Sequence, residues 1–516
     1  MRGRDLCILR ITPPTQQAGD DKAPRIRART ARTATIIEVL PIKPRPWVAQ
    51  CIMDHRFAVF LLTALIAHSV SAPPLAVGGQ LKLSVVDKDT SMPLPARMHL
   101  KNAAGRMPKV PKVPVWADHF VFDGEITLTL PKGHYQFELE CGPEFLDQQG
   151  HFEINDFADD EKTLEMRRFV DMAKEEWYSG DLDLRRPVRD LELLMRADDL
   201  HVAHVFSGPR VGPKRQAIPP GITRFGESRC FRDAEGAPPW RDVLRPTDWR
   251  LPLCIAHHEV DSIELASSQL HRSGVAKDEK DCKPRDPTLF PGPEGIARWG
   301  ERVYFHLLNC GLRIPPSAGS GSGAAPNPVG YNRVYVHVNG DFSYDAWLEG
   351  LRAGRVVITN GPMIRPTVEG EYPGHVFRAD EGQQVELEVS VNLATREKIE
   401  YFEIVQNGAV AHSVRLDAFK QSGGRLPKVV FKTSGWFVLR VVTNNQKTHR
   451  FAMTAPYYVE IGYQPHISRE SAQFFLNWTE ERMRMLKPED AEQDRWQATH
   501  GFWEKLVAGV PPQEGP

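Results

Sequence analysis

The sequence predicts a mixed α/β chain with two β modules and a helical tail, and three observations carry that expectation. Apolar and polar residues alternate over 78–165 and again over 380–462, as half-buried strands require. Apolar residues recur at helical spacing between Asp190 and Leu200, and the stretch from Ser468 to Val507 is helical by composition. At 516 residues the chain is also longer than one hydrophobic core normally organises, so several domains are expected.

Taken in order, the first element is an apolar run, Phe57 to Ala67, that follows Arg56 and precedes the small residues Val70-Ser71-Ala72. It is too short to span a bilayer, and its flanks fit a signal peptide over 53–72 that starts at Met53, with a buried core helix as the alternative. Residues 1–52 are then an extension outside the functional fold, and the mature protein is exported, without a transmembrane anchor. In 73–168, Leu81, Leu83 and Val85 alternate with polar residues, as do Tyr135, Phe137 and Leu139. The segment from Asp123-Gly124 through Pro131-Lys132-Gly133 resembles the strand, turn, strand unit of carboxypeptidase-regulatory-like β-sandwiches.

Residues 169–366 mix helix and strand signals, and 208–250 are rich in Pro, Gly and Arg without periodicity, which suggests a long excursion that caps or lines a site, with a disordered surface insertion as the alternative. Residues 367–465 return to strand alternation at Val385, Leu387, Val389 and Val391. Asn407-Gly408 between two strand-like runs there signals a hairpin, and the pattern suggests an immunoglobulin-like sandwich. In the tail, 466–516, Phe474, Phe475, Trp478, Trp496, Trp503 and Leu506 read as a docking face, with a break at Pro488.

Sixty-five basic against 66 acidic residues leave a formal charge of −1, which removes the global electrostatic footprint of a nucleic-acid binder. The cysteines after Ala72 are odd in number and lack Cys-x-x-Cys spacing, so they make no zinc knuckle. Isolated thiols and one or two disulfides both remain open. No convincing nucleophile elbow, dinucleotide-binding fingerprint or His-Glu-x-x-His helix is present.

Residues 177–187 read Trp-Tyr-Ser-Gly-Asp-Leu-Asp-Leu-Arg-Arg-Pro, and 299–362 include Tyr304 to Arg313, the glycine-rich Ser317 to Gly323, and Ala353 to Pro362. These stretches resemble the CehA/McbA-type (carbaryl-hydrolase-like) branch of the PHP-domain metallohydrolase superfamily. The resemblance implies a distorted β/α barrel over 169–366 and a metal site opened by Gly-Asp-Leu-His-x-His. Here Asp183 and Arg185 stand at the two His positions. Arginine has no lone pair to give a metal and stays cationic, so at 185 it attracts an anion instead. Gly321 and Gly323 stand roughly where relatives place a late carboxylate and histidine, and Ser268-Gln269 where a further His is expected.

Two readings of function follow. In the first, the protein is a metal-deficient pseudoenzyme that binds a small or polymeric ligand or is structural. Its candidate pocket comprises Asp181, Asp183, Arg185, His204, Glu264, Ser320, Ser322, Arg333 and Asn360, the Ser/Gly loop acting as an anion nest completed by Arg185 or Arg186. Arg185 is expected to pair with Glu264 or Asp261. In the second, a rearranged site drawn from His257, His258, Glu259 and Asp261 holds a divalent zinc, manganese or iron and hydrolyses esters, carbamates or phosphoesters.

Overall fold

Alternation along the first strands has a direct structural outcome, since it aims Leu81, Leu83, Val85, Tyr135 and Leu139 into one core. The computed structural model describes residues 7–9, 78–206, 221–226, 229–233, 240–445, 447–487 and 491–510. The expected leader at 53–72 lies outside the described residues, as does the preceding extension apart from Cys7–Leu9.

In the first module, Gly78–Asp87 pairs antiparallel with Glu125–Pro131 and parallel with Asp159–Met166. A second sheet runs Val115–Trp116, His119–Asp123, Pro95–Asn102, Gly133–Glu140, Gln148–Ile154. The Pro131-Lys132-Gly133 turn carries the chain from one sheet to the other, which is what makes this module two-layered.

The central residues form two main sheets and a short hairpin, Leu270–His271 with Gly274–Val275. In the first, Trp177–Leu184 runs parallel to Val202–Val205, which runs parallel to Arg229–Asp233. On its other side Trp177–Leu184 pairs antiparallel with Arg333–His337, which pairs with Val356–Thr359. This sheet does not stop at residue 366: it continues through Phe451–Thr454 and Gly435–Thr443 to Ile399–Gln406 and Ala409–Arg415. The second sheet is small and parallel, Asp242–Val243, Ser262–Ala266, Pro316–Ala318. One isolated parallel bridge, Leu184 to Ser322, ties the first sheet to the glycine-rich loop that follows the last strand of the second. Among the described residues the strands do not close into one hydrogen-bonded ring.

Helices cover these sheets where the periodicity requires. The pattern seen from Asp190 to Leu200 is the helix Val188–Ala197, which buries Leu191, Leu194 and Met195. Tyr344–Arg352 begins at Ser343, whose hydroxyl accepts from the Ala346 N–H. It lays Trp347 on the backbone of Gly180, where any Cβ would overlap the indole, and the Trp347 Nε1–H donates to the Tyr178 carbonyl at 2.9 Å. Asn407 and Gly408 both have positive φ, 49° and 87°, in the hairpin that pairs Gln406 with Ala409. A further sheet runs Cys7–Leu9, Val389–Thr395, Met363–Val368, and the apolar residues of its last two strands pack with Phe402, Ile404 and Leu439.

The tail forms Arg469–Met485 and Gln493–Gly509, and Phe475, Trp478, Trp496 and Trp503 are buried. No helix of the described residues is long and apolar enough to cross a membrane. Cys141, Cys230, Cys254, Cys282 and Cys310 are all free thiols, so none of the open disulfide pairings forms among them.

Candidate functional site

Strand Trp177–Leu184 carries Asp181 and Asp183 inward, and neighbouring strand residues from the second sheet bring Glu264 and Asp242 against them. Asp181 and Glu264 are fully buried and Asp183 nearly so. Glu264 and Asp183 both press on Gly319, where a Cβ would overlap the Glu264 carboxylate. The four acids therefore share a low-dielectric volume, and each has a raised pKa. Burial pushes Asp181 up to about 7 and Asp242 to about 6. Burial, together with the charges of Asp242, Asp183 and Asp181, drives Glu264 well above the carboxylate range. Burial also raises Asp183, with Arg185 opposing it.

Their hydrogen bonds are unequal. Asp181 accepts from the backbone N–H of Ser320 at 2.9 Å, Gly330 at 2.8 Å and Asp183 at 3.2 Å. Asp242 accepts from Ser262 and Ser317 Oγ at 2.5 and 2.6 Å. Glu264 meets no donor other than the neighbouring Asp242, with which it shares a side-chain hydrogen bond, an arrangement that fits a proton held between these two acids near neutral pH.

The glycine-rich loop corrects one expectation. Its N–H groups do not form an open anion nest: Ser320 N–H serves Asp181, Gly321 N–H serves the Asp183 carbonyl, and Gly319 N–H serves Ala266. Ser320 and Ser322 are fully buried. The positions where the resemblance expects ligands nevertheless lie together, because Gly321 packs on Ser268 and Gly323 on the backbone of Arg185. Both glycines have positive φ, 63° and 100°.

Arg185 does not pair with Glu264 or Asp261. Its Nε donates to Asp183 Oδ1 at 3.0 Å, because the carboxylate two residues earlier on the same strand is within reach, while Asp261 is taken by Arg241. Arg185 and its neighbour Arg186 instead line a cleft of about 600 Å³ with Lys112, Trp116, Arg189 and Gly323, against which Asp190 is the opposing acid. Arg186 is 5% exposed, and its Nε and Nη1 are buried without a hydrogen-bond acceptor. Its guanidinium lies 5.1 Å from the Trp116 ring centre. Burial lowers its pKa to about 10, so it remains cationic at neutral pH. Four cations against one acid leave the lining of this cleft with a net positive charge.

The other candidates lie elsewhere. The register pairs Gly180 with Val202, so His204 shares the face of Gly180, away from Asp181, and its Nε2 meets the Tyr344 hydroxyl at 2.9 Å. Arg333 is buried as a strut, donating to the carbonyls of Gly330 and Asp198 at 2.6 and 2.9 Å. Asn360 bridges backbone, its amide donating to His449 O and its carbonyl accepting from Phe451 N–H. In the turn after helix Leu251–Ala256, His257 meets the Arg495 carbonyl at 3.2 Å and Glu259 pairs with Arg495 at 2.8 Å, while His258 faces solvent. Among the described residues, neither this turn nor the buried acids set three donor atoms within 4.8 Å of one another; His99, Asp118 and His119 do.

Sequence reasoning missed Asp242, Lys112 and Trp116. Asp242 sits on a two-residue strand after an aperiodic segment, and the other two come from a different module, so no local pattern marks them. The Arg185-Arg186-Pro187 run ahead of a helix was the signal for the cleft.

No family model matches the chain, and no curated protein does. Among solved structures the chain is similar to a β-glucuronidase of Parabacteroides merdae, at 11% identity over 71% of this chain and 61% of that one, with a TM-score of 0.16. At that score the likeness bears on neither fold nor function.

Proposed function

We propose that this chain is an exported, metal-deficient relative of the CehA/McbA-type PHP hydrolases, with a distorted barrel over 169–366, that binds an anionic ligand instead of hydrolysing one. The observation that carries the reading is Arg186, a buried cation whose Nε and Nη1 have no acceptor, in a cleft with Lys112, Arg185 and Arg189. A buried guanidinium without a partner is costly, and a carboxylate, sulfate or phosphate group in the cleft offsets that cost with paired, charge-assisted bonds. Trp116 supplies a flat apolar wall for the body of the ligand. Arg185, at the second histidine position of the resemblance, neutralises Asp183 and turns the same strand end from a metal donor into an anion receptor.

Calorimetric titration of the full chain with inorganic phosphate and sulfate tests the reading. Arg186→Gln is expected to weaken binding at least about tenfold, equivalent to ~1.4 kcal/mol. Equal affinity in parent and variant would exclude the cleft as the site.

A second reading, a metal-dependent hydrolase with a rearranged site, draws on Glu264, whose carboxyl is fully buried beside the acids Asp181, Asp183 and Asp242. An all-oxygen set of this kind suits manganese better than zinc. Turnover of an ester, carbamate or phosphoester that depends on Mn²⁺ and disappears in Glu264→Gln would favour it.

A further inference from the structure

The N-terminal module holds a donor group that the preceding reading does not use. Pro95–Asn102 and His119–Asp123 are antiparallel neighbours whose register pairs Met98 with Phe120, so the next pair along the ladder sets His99 beside His119. Their rings lie 5.1 Å apart. Trp116 pairs with His119 across a two-residue turn, Ala117-Asp118, in which Ala117 has a φ of 48°. That turn folds the Asp118 carboxylate back over both rings. Its Oδ1 is 3.2 Å from His99 Nδ1 and 3.4 Å from His119 Nδ1.

We infer that His99, Asp118 and His119 form a binding site for one divalent transition ion, zinc being the best match. Two donors each 2.0–2.1 Å from a tetrahedral zinc stand about 3.3 Å apart, and both His-to-Asp spacings agree with that. The independent observation is His99. It is 4% exposed, and its ring nitrogens face only carboxylates, Asp118 Oδ1 at 3.2 Å and Glu140 Oε2 at 3.7 Å, neither in good hydrogen-bond geometry. A buried imidazole so placed is costly unless a proton or a metal ion stands between it and those carboxylates.

The outer shell fits as well. His99 Nε2 faces Glu140 Oε2 at 3.7 Å, the carboxylate–histidine–metal order that fixes a ligand's tautomer, and Glu140 is itself held by Arg97 Nε at 3.0 Å and by Arg272. Asp118 is 53% exposed along its side chain, so an ion reaches the site from solvent and water completes its coordination. The bound ion joins the turn to the neighbouring strand two residues from Trp116, whose Nε1–H donates to the Ala325 carbonyl at 2.9 Å. It therefore steadies one wall of the cationic cleft without entering it.

The test uses the full chain stripped of metal by a chelator and titrated with Co²⁺, then Zn²⁺. One equivalent of Co²⁺ is expected to give the visible absorption of a low-coordinate site, to be displaced by Zn²⁺, and to raise the melting temperature. His119→Ala and His99→Ala should abolish the signal. Asp118→Asn, at a solvent-facing turn that tolerates substitution, should weaken Co²⁺ at least tenfold with the fold intact, and it decides the matter if the histidine variants fail to fold. Glu264→Gln, in the buried acid cluster, should leave the signal unchanged. No Co²⁺ binding by the parent, unchanged binding in Asp118→Asn, or loss in Glu264→Gln instead would overturn the site. None of these outcomes bears on anion binding at Arg186, which is measured separately.

Discussion

Asp242 accepts two serine hydroxyls on Oδ1 and shares a side-chain hydrogen bond with Glu264, so an amide at that position can keep both serine donors and offer its NH₂ to the neighbouring acid. The pKa values of Asp242 and Asp181, about 6 and about 7, lie above those of an unfolded chain. Between about pH 4 and 7 the folded protein therefore holds protons that the unfolded chain has released. The stability this contributes is complete below about pH 4 and is lost as pH rises through 6 and 7. Asp242→Asn is expected to flatten that decline and to be more stable than the parent by about 1–3 kcal/mol at pH 8. Urea denaturation at pH 5 and pH 8 measures it, and parallel pH profiles for the two proteins would contradict the shared-proton account. At Gly323 the expectation has the opposite sign. A φ of 100° and the Arg185 carbonyl inside Cβ range leave no room for a side chain, so Gly323→His should cost about 3 kcal/mol or more instead of restoring a ligand. A variant that melts with the parent would refute this.

At the scale of elements, the tail helices are part of the core. Trp503 is fully buried, stacks on Phe475 at 4.8 Å and donates from Nε1 to the Pro252 carbonyl at 3.2 Å, so it ties the last helix to Leu251–Ala256. Trp503→Ala removes a large buried ring and leaves a carbonyl unpaired, at a cost of about 3–5 kcal/mol. A loss of unfolding free energy by urea denaturation of less than a third of that would mean that the tail packs more loosely than its burial indicates. The helical composition and the aromatics of this tail announced a docking face, and the face exists because neither helix can bury its tryptophans alone.

Over the whole molecule, the alternating strands of both β modules, the helix after Trp177–Leu184, the Asn407-Gly408 hairpin and the aromatic tail were legible in the sequence, because each is a local pattern of period two, of period 3.6, or of a turn that demands positive φ. The same holds for Arg185 as a residue unable to serve a metal. Tertiary structure decided the rest. It runs one sheet from Trp177–Leu184 into Gly435–Thr443, gathers Asp242 and Glu264 onto Asp181 and Asp183, turns His204 to the opposite face, and sends Arg185 to Asp183. It also places Trp116 and Lys112 of the first module across from Arg186, and His99 beside His119. Such neighbours are separated by tens of residues along the chain, and their proximity is set by strand register and sheet order. Sequence period determines which way a side chain points from its own element, while the partner it meets there depends on how the elements pack.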